Sequence, residues 1–188
     1  AIDAVRSIVT NVTQQSVRGW GFDSGISWLI PARYETRLYA GYAYGSGDAN
    51  PQDDTDRAFR QTGLATNEAG FGGAQRFPHY GIGLNPELSN LKIVTIGAGL
   101  NILKSSSIDL VYHRYRLANP AESLRSARVD GMLVGKNVGS GTDLVLALEE
   151  WERLEFELSV SAFRAGSGFG EHAGKRSYFG FAGMRIAF

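Results

Sequence analysis

Strict alternation of apolar with small or polar residues is the feature that most constrains the fold of this chain. In the stretch LKIVTIGAGLNIL, residues 91–103, the even positions from Val94 to Ile102 are apolar, whereas the odd positions between them are Thr, Gly and Asn. Successive side chains of a β-strand point to opposite faces, so this pattern predicts a strand with one apolar face. In nearly every segment the apolar residues recur at every second position rather than with the helical period, and the sequence therefore predicts an all-β fold.

About eight such strands are predicted. A less clear first strand lies around residues 4–12, and the others lie near residues 20–30, 36–48, 91–103, 107–118, 142–151, 153–163 and 176–188. Short turns alternate with long loops, and the long loops cover about residues 45–89, 119–141 and 165–174. This alternation, with apolar faces of about 9–11 residues, is typical of an antiparallel transmembrane β-barrel. Residues 1–188 are accordingly predicted to form one domain in a bacterial outer membrane, with a soluble sandwich or ligand-binding barrel as the alternative.

Composition excludes several classes of function. The 19 basic and 19 acidic residues cancel, so no overall charge attracts nucleic acid. Cysteine is absent and the three histidines are far apart, so no metal or other cofactor is expected. Glu155 and Glu157 share a face, but a catalytic acid needs an apolar pocket that this charged wall does not supply, and no enzymatic activity is expected.

Several stretches resemble the alginate export family of Gram-negative outer-membrane barrels. They are GYAYGSGD, RAFRQTGL, NPELSNL, DLVYHRYR and AFRAGSGFG. The resemblance implies an eighteen-stranded monomeric barrel that lets alginate diffuse passively through an arginine-rich lumen. The predicted strands would be the C-terminal part of such a barrel. It implies an alginate-like anionic polysaccharide, outer-membrane lipid and periplasmic export machinery as partners. The alternative function is a small closed barrel that acts as a structural or lipopolysaccharide-binding anchor, because eight strands leave room only for side chains inside.

Strand parity assigns charged residues to the lumen. With even positions facing lipid, the lumen candidates are Asp23, Arg37, Asp109, His113, Asp143, Glu149, Arg153, Glu155, Glu157 and Arg185. Acidic residues dominate this set, which departs from the arginine-rich lumen that the resemblance implies. Positive charge for anion contact would then come from strands outside this sequence or from the loop residues Arg57, Arg60 and Arg76.

Three arginines instead occupy even positions, which strand parity assigns to the lipid-facing side. Arg114, Arg116 and Arg164 lie at the ends of strands that run towards the long loops. One interpretation is that they contact lipopolysaccharide phosphates, because guanidinium groups match phosphate geometry. The other is that these strands extend above the bilayer.

The last predicted strand gives a sharper expectation. Phe188 should face lipid, whereas Arg185 has the opposite parity and should face the lumen. An unpaired arginine there would be costly, so Arg185 is predicted to pair with an acidic neighbour such as Glu155 or Glu157.

Overall fold

The structure, a computed structural model, describes residues 16–31, 34–61, 68–71 and 73–188. The predicted first strand around residues 4–12 lies outside the described residues. Seven long strands make up about half of the described residues, in agreement with the predicted all-β class. They are β1 (Gly21–Ile30), β2 (Thr36–Gly45), β3 (Leu91–Asn101), β4 (Ser107–Leu117), β5 (Asn137–Trp151), β6 (Leu154–Ala165) and β7 (Arg176–Ile186).

The seven strands form one antiparallel sheet in which every strand pairs with its neighbours in sequence. Strands β1 and β7 are its two edges, so within the described part of the chain the sheet is open. Of the roughly eight strands predicted, the sheet thus contains seven.

Shorter elements lie in the long connections. Ser16–Val17 pairs in parallel with Thr55–Asp56, and Glu68–Ala69 pairs antiparallel with Phe77–Pro78. A 3₁₀ segment, Ser167–His172, precedes β7. Within residues 16–31, 34–61, 68–71 and 73–188, no helix has the length and apolar content needed to cross a membrane.

The connections are sorted between the two ends of the sheet. The short connections β1–β2, β3–β4 and β5–β6 lie at one end, which we call the short-turn end. The long connections β2–β3, β4–β5 and β6–β7 begin and end at the opposite end, which we call the loop end.

The predicted loop 119–141 is too long at its C-terminal side. Strand β5 begins at Asn137, and Gly139 and Gly141 pair with Tyr115 and His113 of β4. The glycine-rich sequence suggested a loop, but a glycine in a strand still forms the backbone hydrogen bonds of the ladder.

The two faces of the sheet differ in exposure. In β4 the odd positions are buried and the even positions after Ile108 are exposed. We call the odd-numbered side the covered face and the even-numbered side the outer face. Large apolar residues exposed at even positions include Trp20, Phe22, Ile26, Trp28, Leu38, Tyr42, Val94, Ile96, Leu100, Leu110, Tyr112, Leu144, Val160, Tyr178, Met184, Ile186 and Phe188.

The covered face carries an apolar core near the loop end. Ile93, Tyr115 and Phe163 of the sheet are buried there against side chains from the long connections. These partners are Tyr80, Leu84, Leu88, Leu133 and Phe169. Since burial of one aromatic or aliphatic side chain contributes about 1.5–3 kcal/mol, this core holds the connections firmly on the sheet.

Candidate functional site

Residues 73–84, which we call the covering segment, lie across the covered face. The segment belongs to the loop predicted at residues 45–89. Its side chains Phe77 and Ile82 are buried against Tyr39, Val111 and Val145 of the sheet. The segment therefore packs on the face that strand parity assigned to the lumen.

Buried hydrogen bonds fix the middle of the covering segment. The Ile82 backbone N–H donates to Asp143 Oδ2 at 2.9 Å, and the Tyr115 hydroxyl donates to the Tyr80 carbonyl oxygen at 2.7 Å. Gly81 between them has φ = +96°, and a Cβ there would overlap the Tyr115 hydroxyl. Only glycine fits this conformation and this close approach without strain.

The covering segment also reaches the short-turn end. The Ala74 backbone N–H donates to Ser107 Oγ at 2.8 Å, and Ser107 is the first residue of β4. Gln75 Nε2 donates to Glu157 Oε2 at 3.1 Å. The segment thus extends over nearly the whole height of the sheet.

Asp23 binds the segment on the side of strand β1. His79 Nε2 lies 2.8 Å from Asp23 Oδ2, and the Tyr80 hydroxyl donates to the same oxygen at 3.1 Å. A depression of about 230 Å³ opens beside these groups and includes Thr95 and Phe71 in its wall.

Arg37 and Asp109 form a buried ion pair on the covered face. Arg37 Nη2 lies 3.1 Å from Asp109 Oδ1, and the two side chains are only 7% and 1% exposed. Arg37 also donates to Asn101 Oδ1. The strand register brings these two side chains together, because Arg37 and Asp109 both pair with Gly99, which has no side chain to separate them.

His113 lies at the centre of a second polar group. Its Nδ1 is 2.9 Å from Thr95 Oγ1, and its Nε2 is 3.4 Å from Asp143 Oδ2. Ser161 Oγ donates to the other oxygen of Asp143. Two polar layers therefore cross the sheet beneath the covering segment.

The remaining lumen candidates lie towards the short-turn end of β5, β6 and β7. Arg185 Nη1 contacts Glu155 Oε2 at 2.9 Å, the contact that parity predicted. Glu149 and Glu157 line the same depression of about 430 Å³, whereas Arg153 is exposed in the adjoining turn. Carboxylates outnumber cations here, as the sequence indicated.

The loop arginines are locally paired. Arg57 Nη1 lies 2.8 Å from Asp53 Oδ2, and Arg60 contacts Asp56. Partial burial favours the neutral form of Asp56, but hydrogen bonds from Arg60 and from the Ala58 backbone outweigh it, so the pKa of Asp56 is lowered. Arg76 donates to the Glu68 carbonyl oxygen at 3.1 Å.

The three arginines of lipid-facing parity stand apart from the covered face. Arg114, Arg116 and Arg164 are exposed on the outer face near the loop end. No group of three or more His, Asp or Glu side chains within the described ranges is arranged to hold a metal ion.

The sequence did not lead us to expect that the covering segment packs on the sheet. The stretch FPHYGIGLNPEL, residues 77–88, was assigned to the long loop 45–89, yet Phe77, Tyr80, Ile82, Leu84 and Leu88 are buried. The density of large apolar residues within a loop was the signal that it packs on something.

Comparison with known proteins is consistent with this two-faced sheet. The Alginate export family matches residues 7–182. The chain belongs to the alginate export family. It is also 32% identical over 109 residues to the alginate production protein AlgE of Azotobacter vinelandii, a match that covers 57% of this chain. The same match covers 22% of the AlgE chain, so the part of this chain that matches corresponds to less than a quarter of that relative's length.

Gly97 offers a test of how tightly the covered face is packed. A Cβ at Gly97 would overlap the Tyr39 ring, which stacks on Phe71 with ring centroids 4.3 Å apart. We expect Gly97→Ala to lower the free energy of unfolding by about 1–3 kcal/mol through overpacking. Urea unfolding followed by tyrosine and tryptophan fluorescence measures it.

Gly41→Ala is the matched control for this variant. A Cβ at Gly41 meets Ser24 O at 3.5 Å and Thr95 Cβ at 3.9 Å, which are ordinary contacts. Equal unfolding midpoints for the two variants would show that the Tyr39 ring is not held in place.

Proposed function

We propose that this chain forms part of the wall of an outer-membrane channel that exports an anionic, alginate-like polysaccharide by passive diffusion, with the covered face lining the lumen. The observation that carries the proposal is the opposite chemistry of the two faces. Exposed apolar side chains cover the outer face, while the face beneath residues 73–84 carries the ion pair Arg37–Asp109 and the carboxylate of Asp143. A lipid-facing surface needs the first arrangement, and polar groups beneath a folded-in segment are typical of a barrel interior plugged by a loop.

The size of the covering segment favours a large barrel over the small closed anchor. An eight-stranded barrel has an interior filled by its own side chains. Here a whole segment with the large side chains of Phe77 and Tyr80 reaches from the loop end down to Ser107. A barrel of many more strands provides that room, and the free edges of β1 and β7 offer the places where further strands would join.

Membership of the alginate export family supports an acidic polysaccharide as the substrate. The covered face itself presents more carboxylates than cations, so it does not supply a positive surface for a uronate chain. We infer that anion attraction comes from other strands of the full barrel and from the loop that carries Arg57, Arg60 and Arg76.

Neutralising these loop arginines tests that inference. We expect the variant Arg57→Gln, Arg60→Gln, Arg76→Gln of the full-length protein to reduce iodide flux into liposomes and to weaken the preference for anions. The physical reason is the loss of positive potential at the loop end, although Asp53 and Asp56 already offset part of it.

Lys104→Gln serves as the control, because Lys104 is an exposed cation in the turn between β3 and β4 at the short-turn end. If the triple variant retains both the flux and the anion preference of the wild type, these arginines have no part in the mechanism.

A further inference from the structure

Five basic side chains cross the outer face near its loop end. They are Lys92 of β3, Arg114 and Arg116 of β4, Arg164 of β6 and Arg176 of β7, and we call them the basic strip. All five occupy even positions, and the four arginines are exposed. They lie on the opposite side of the sheet from the proposed lumen, so the proposed export pathway does not use them.

Strand register makes the basic strip continuous. Lys92 pairs directly with Arg116, and Arg164 pairs directly with Arg176. Ser140 of β5 pairs with both Arg114 and Arg164 and thereby links the two halves. Since neighbouring strands are about 4.8 Å apart, the backbones of Arg114 and Arg164 are separated by roughly 10 Å.

The strip does not stabilise the sheet by itself. Like charges directly opposite each other on neighbouring strands are destabilising, and Lys92–Arg116 and Arg164–Arg176 are two such pairs. The ion pairs found among the described residues include no member of the strip. Arg114 donates to Asn137 Oδ1 at 2.9 Å, which satisfies one donor and leaves the charge uncompensated. A bound anion would remove this repulsion.

Two shallow depressions along the strip provide room for anionic groups. The larger, about 630 Å³, is lined by Lys92, Arg114 and Arg116 together with Lys136 and Ser167. The smaller, about 200 Å³, lies between Arg164 and Arg176 and borders Tyr178. Guanidinium groups bind phosphate through parallel N–H donors, and two separate cationic sites suit a ligand with more than one phosphate.

Apolar side chains begin directly below the strip. Tyr112 and Tyr178 each lie two residues from an arginine of the strip, on the side nearer the short-turn end, and both are exposed. Below them lies the exposed apolar band of the outer face, and tyrosines at such a boundary are typical of a membrane interface. By contrast, the charged residue at an even position near the short-turn end of β5 is acidic, Glu150.

We propose that the basic strip binds the phosphate groups of an outer-leaflet glycolipid, lipopolysaccharide, while the acyl chains of that lipid pack on the apolar band below. Positive charge above apolar surface matches phosphate above acyl chain, and the occupant is therefore a phosphorylated lipid. This proposal rests on the proposed function in one respect, because it requires the outer face to contact the outer membrane.

Lipid binding by the full-length protein in detergent micelles tests the proposal. The probes are lipopolysaccharide, the same lipid after removal of its phosphates, and its phosphorylated sugar backbone without acyl chains. Native mass spectrometry and calorimetry give the affinity of each probe for the wild type and for the variant Arg114→Ser, Arg164→Ser, Arg176→Ser. The control variant Lys104→Ser removes an exposed cation at the short-turn end.

We expect the triple variant to bind lipopolysaccharide about tenfold more weakly or worse, because charge-assisted hydrogen bonds are lost, and the control variant to bind like the wild type. Dephosphorylated lipid should bind weakly to all three proteins. Wild-type affinity in the triple variant, or equal affinity for the dephosphorylated lipid, overturns the proposal. Equal binding of the sugar backbone without acyl chains overturns the assignment to a lipid.

Iodide flux through the same proteins in liposomes separates this proposal from the channel. The triple variant should conduct like the wild type, because the strip faces away from the lumen. A wild type that binds lipopolysaccharide through the strip but conducts no ions would remove the channel and leave the strip in place.

Discussion

Replacing residues 73–84 of the full-length protein by a short Gly-Ser linker is expected to raise iodide flux into liposomes severalfold. The covering segment lies over the face proposed to line the lumen and reaches from the loop end to Ser107 near the other end of the sheet. Removing it should widen the pathway along its whole length. The increase should be larger for bulky organic anions than for iodide, because the change is in width rather than in charge.

A point variant tests the same idea while keeping every residue of the segment. Gly81→Ala places a Cβ where the Tyr115 hydroxyl lies and in a backbone conformation with φ = +96°, so it should detach Tyr80 and Ile82 from the sheet. We expect this variant to raise flux in the same direction, by less than the excision does. It also guards against the possibility that the excised protein fails to fold.

Excision of residues 49–52 is the matched control. These residues are in the same long connection but are exposed and distant in sequence from the covering segment. Unchanged flux in both the excised protein and the Gly81→Ala variant, with both folded, would mean that the segment does not obstruct the pathway.

The sheet was largely predictable from the sequence because an antiparallel sheet with one apolar exposed face has one dominant period, that of two residues. Val94, Ile96 and Leu100 of β3 are exposed and Ile93 and Thr95 are buried, as alternation requires. The start of β5 was not predictable, since Gly139 and Gly141 give no period and resemble a loop. Their position follows from pairing with β4, which is non-local information.

The candidate site was predictable in its local part only. The pairing of Arg185 with Glu155 follows from shared parity on two strands that are consecutive in the chain. The hydrogen bond from Ile82 to Asp143 joins residues 61 apart, and its donor is a backbone group of an irregular segment. No side-chain pattern encodes such a contact, so only the structure places the covering segment.

The two arginine ion pairs of the covered face differ in burial, and we therefore expect them to differ in their contribution to the free energy of unfolding. The Arg37 and Asp109 side chains are 7% and 1% exposed, whereas those of Arg185 and Glu155 are 79% and 48% exposed. We expect Asp109→Ala to lower the free energy of unfolding by about 3–5 kcal/mol, because it leaves the guanidinium of Arg37 buried without its counter-charge. Glu155→Ala should cost about 0–1 kcal/mol, because water already screens that exposed pair.

The double variant Arg37→Met, Asp109→Leu distinguishes a missing charge partner from a cavity. Replacing both charges by apolar side chains of similar size removes the uncompensated cation, so the double variant should unfold closer to the wild type than Asp109→Ala does. Urea unfolding of the full-length protein in detergent micelles, at one ionic strength for all variants, gives the comparison. Arg37 of β2 and Asp109 of β4 meet across Gly99 of β3, the strand between them. A double variant as unstable as Asp109→Ala would therefore show that the hydrogen bonds of this pair, rather than its charge balance, stabilise these three strands.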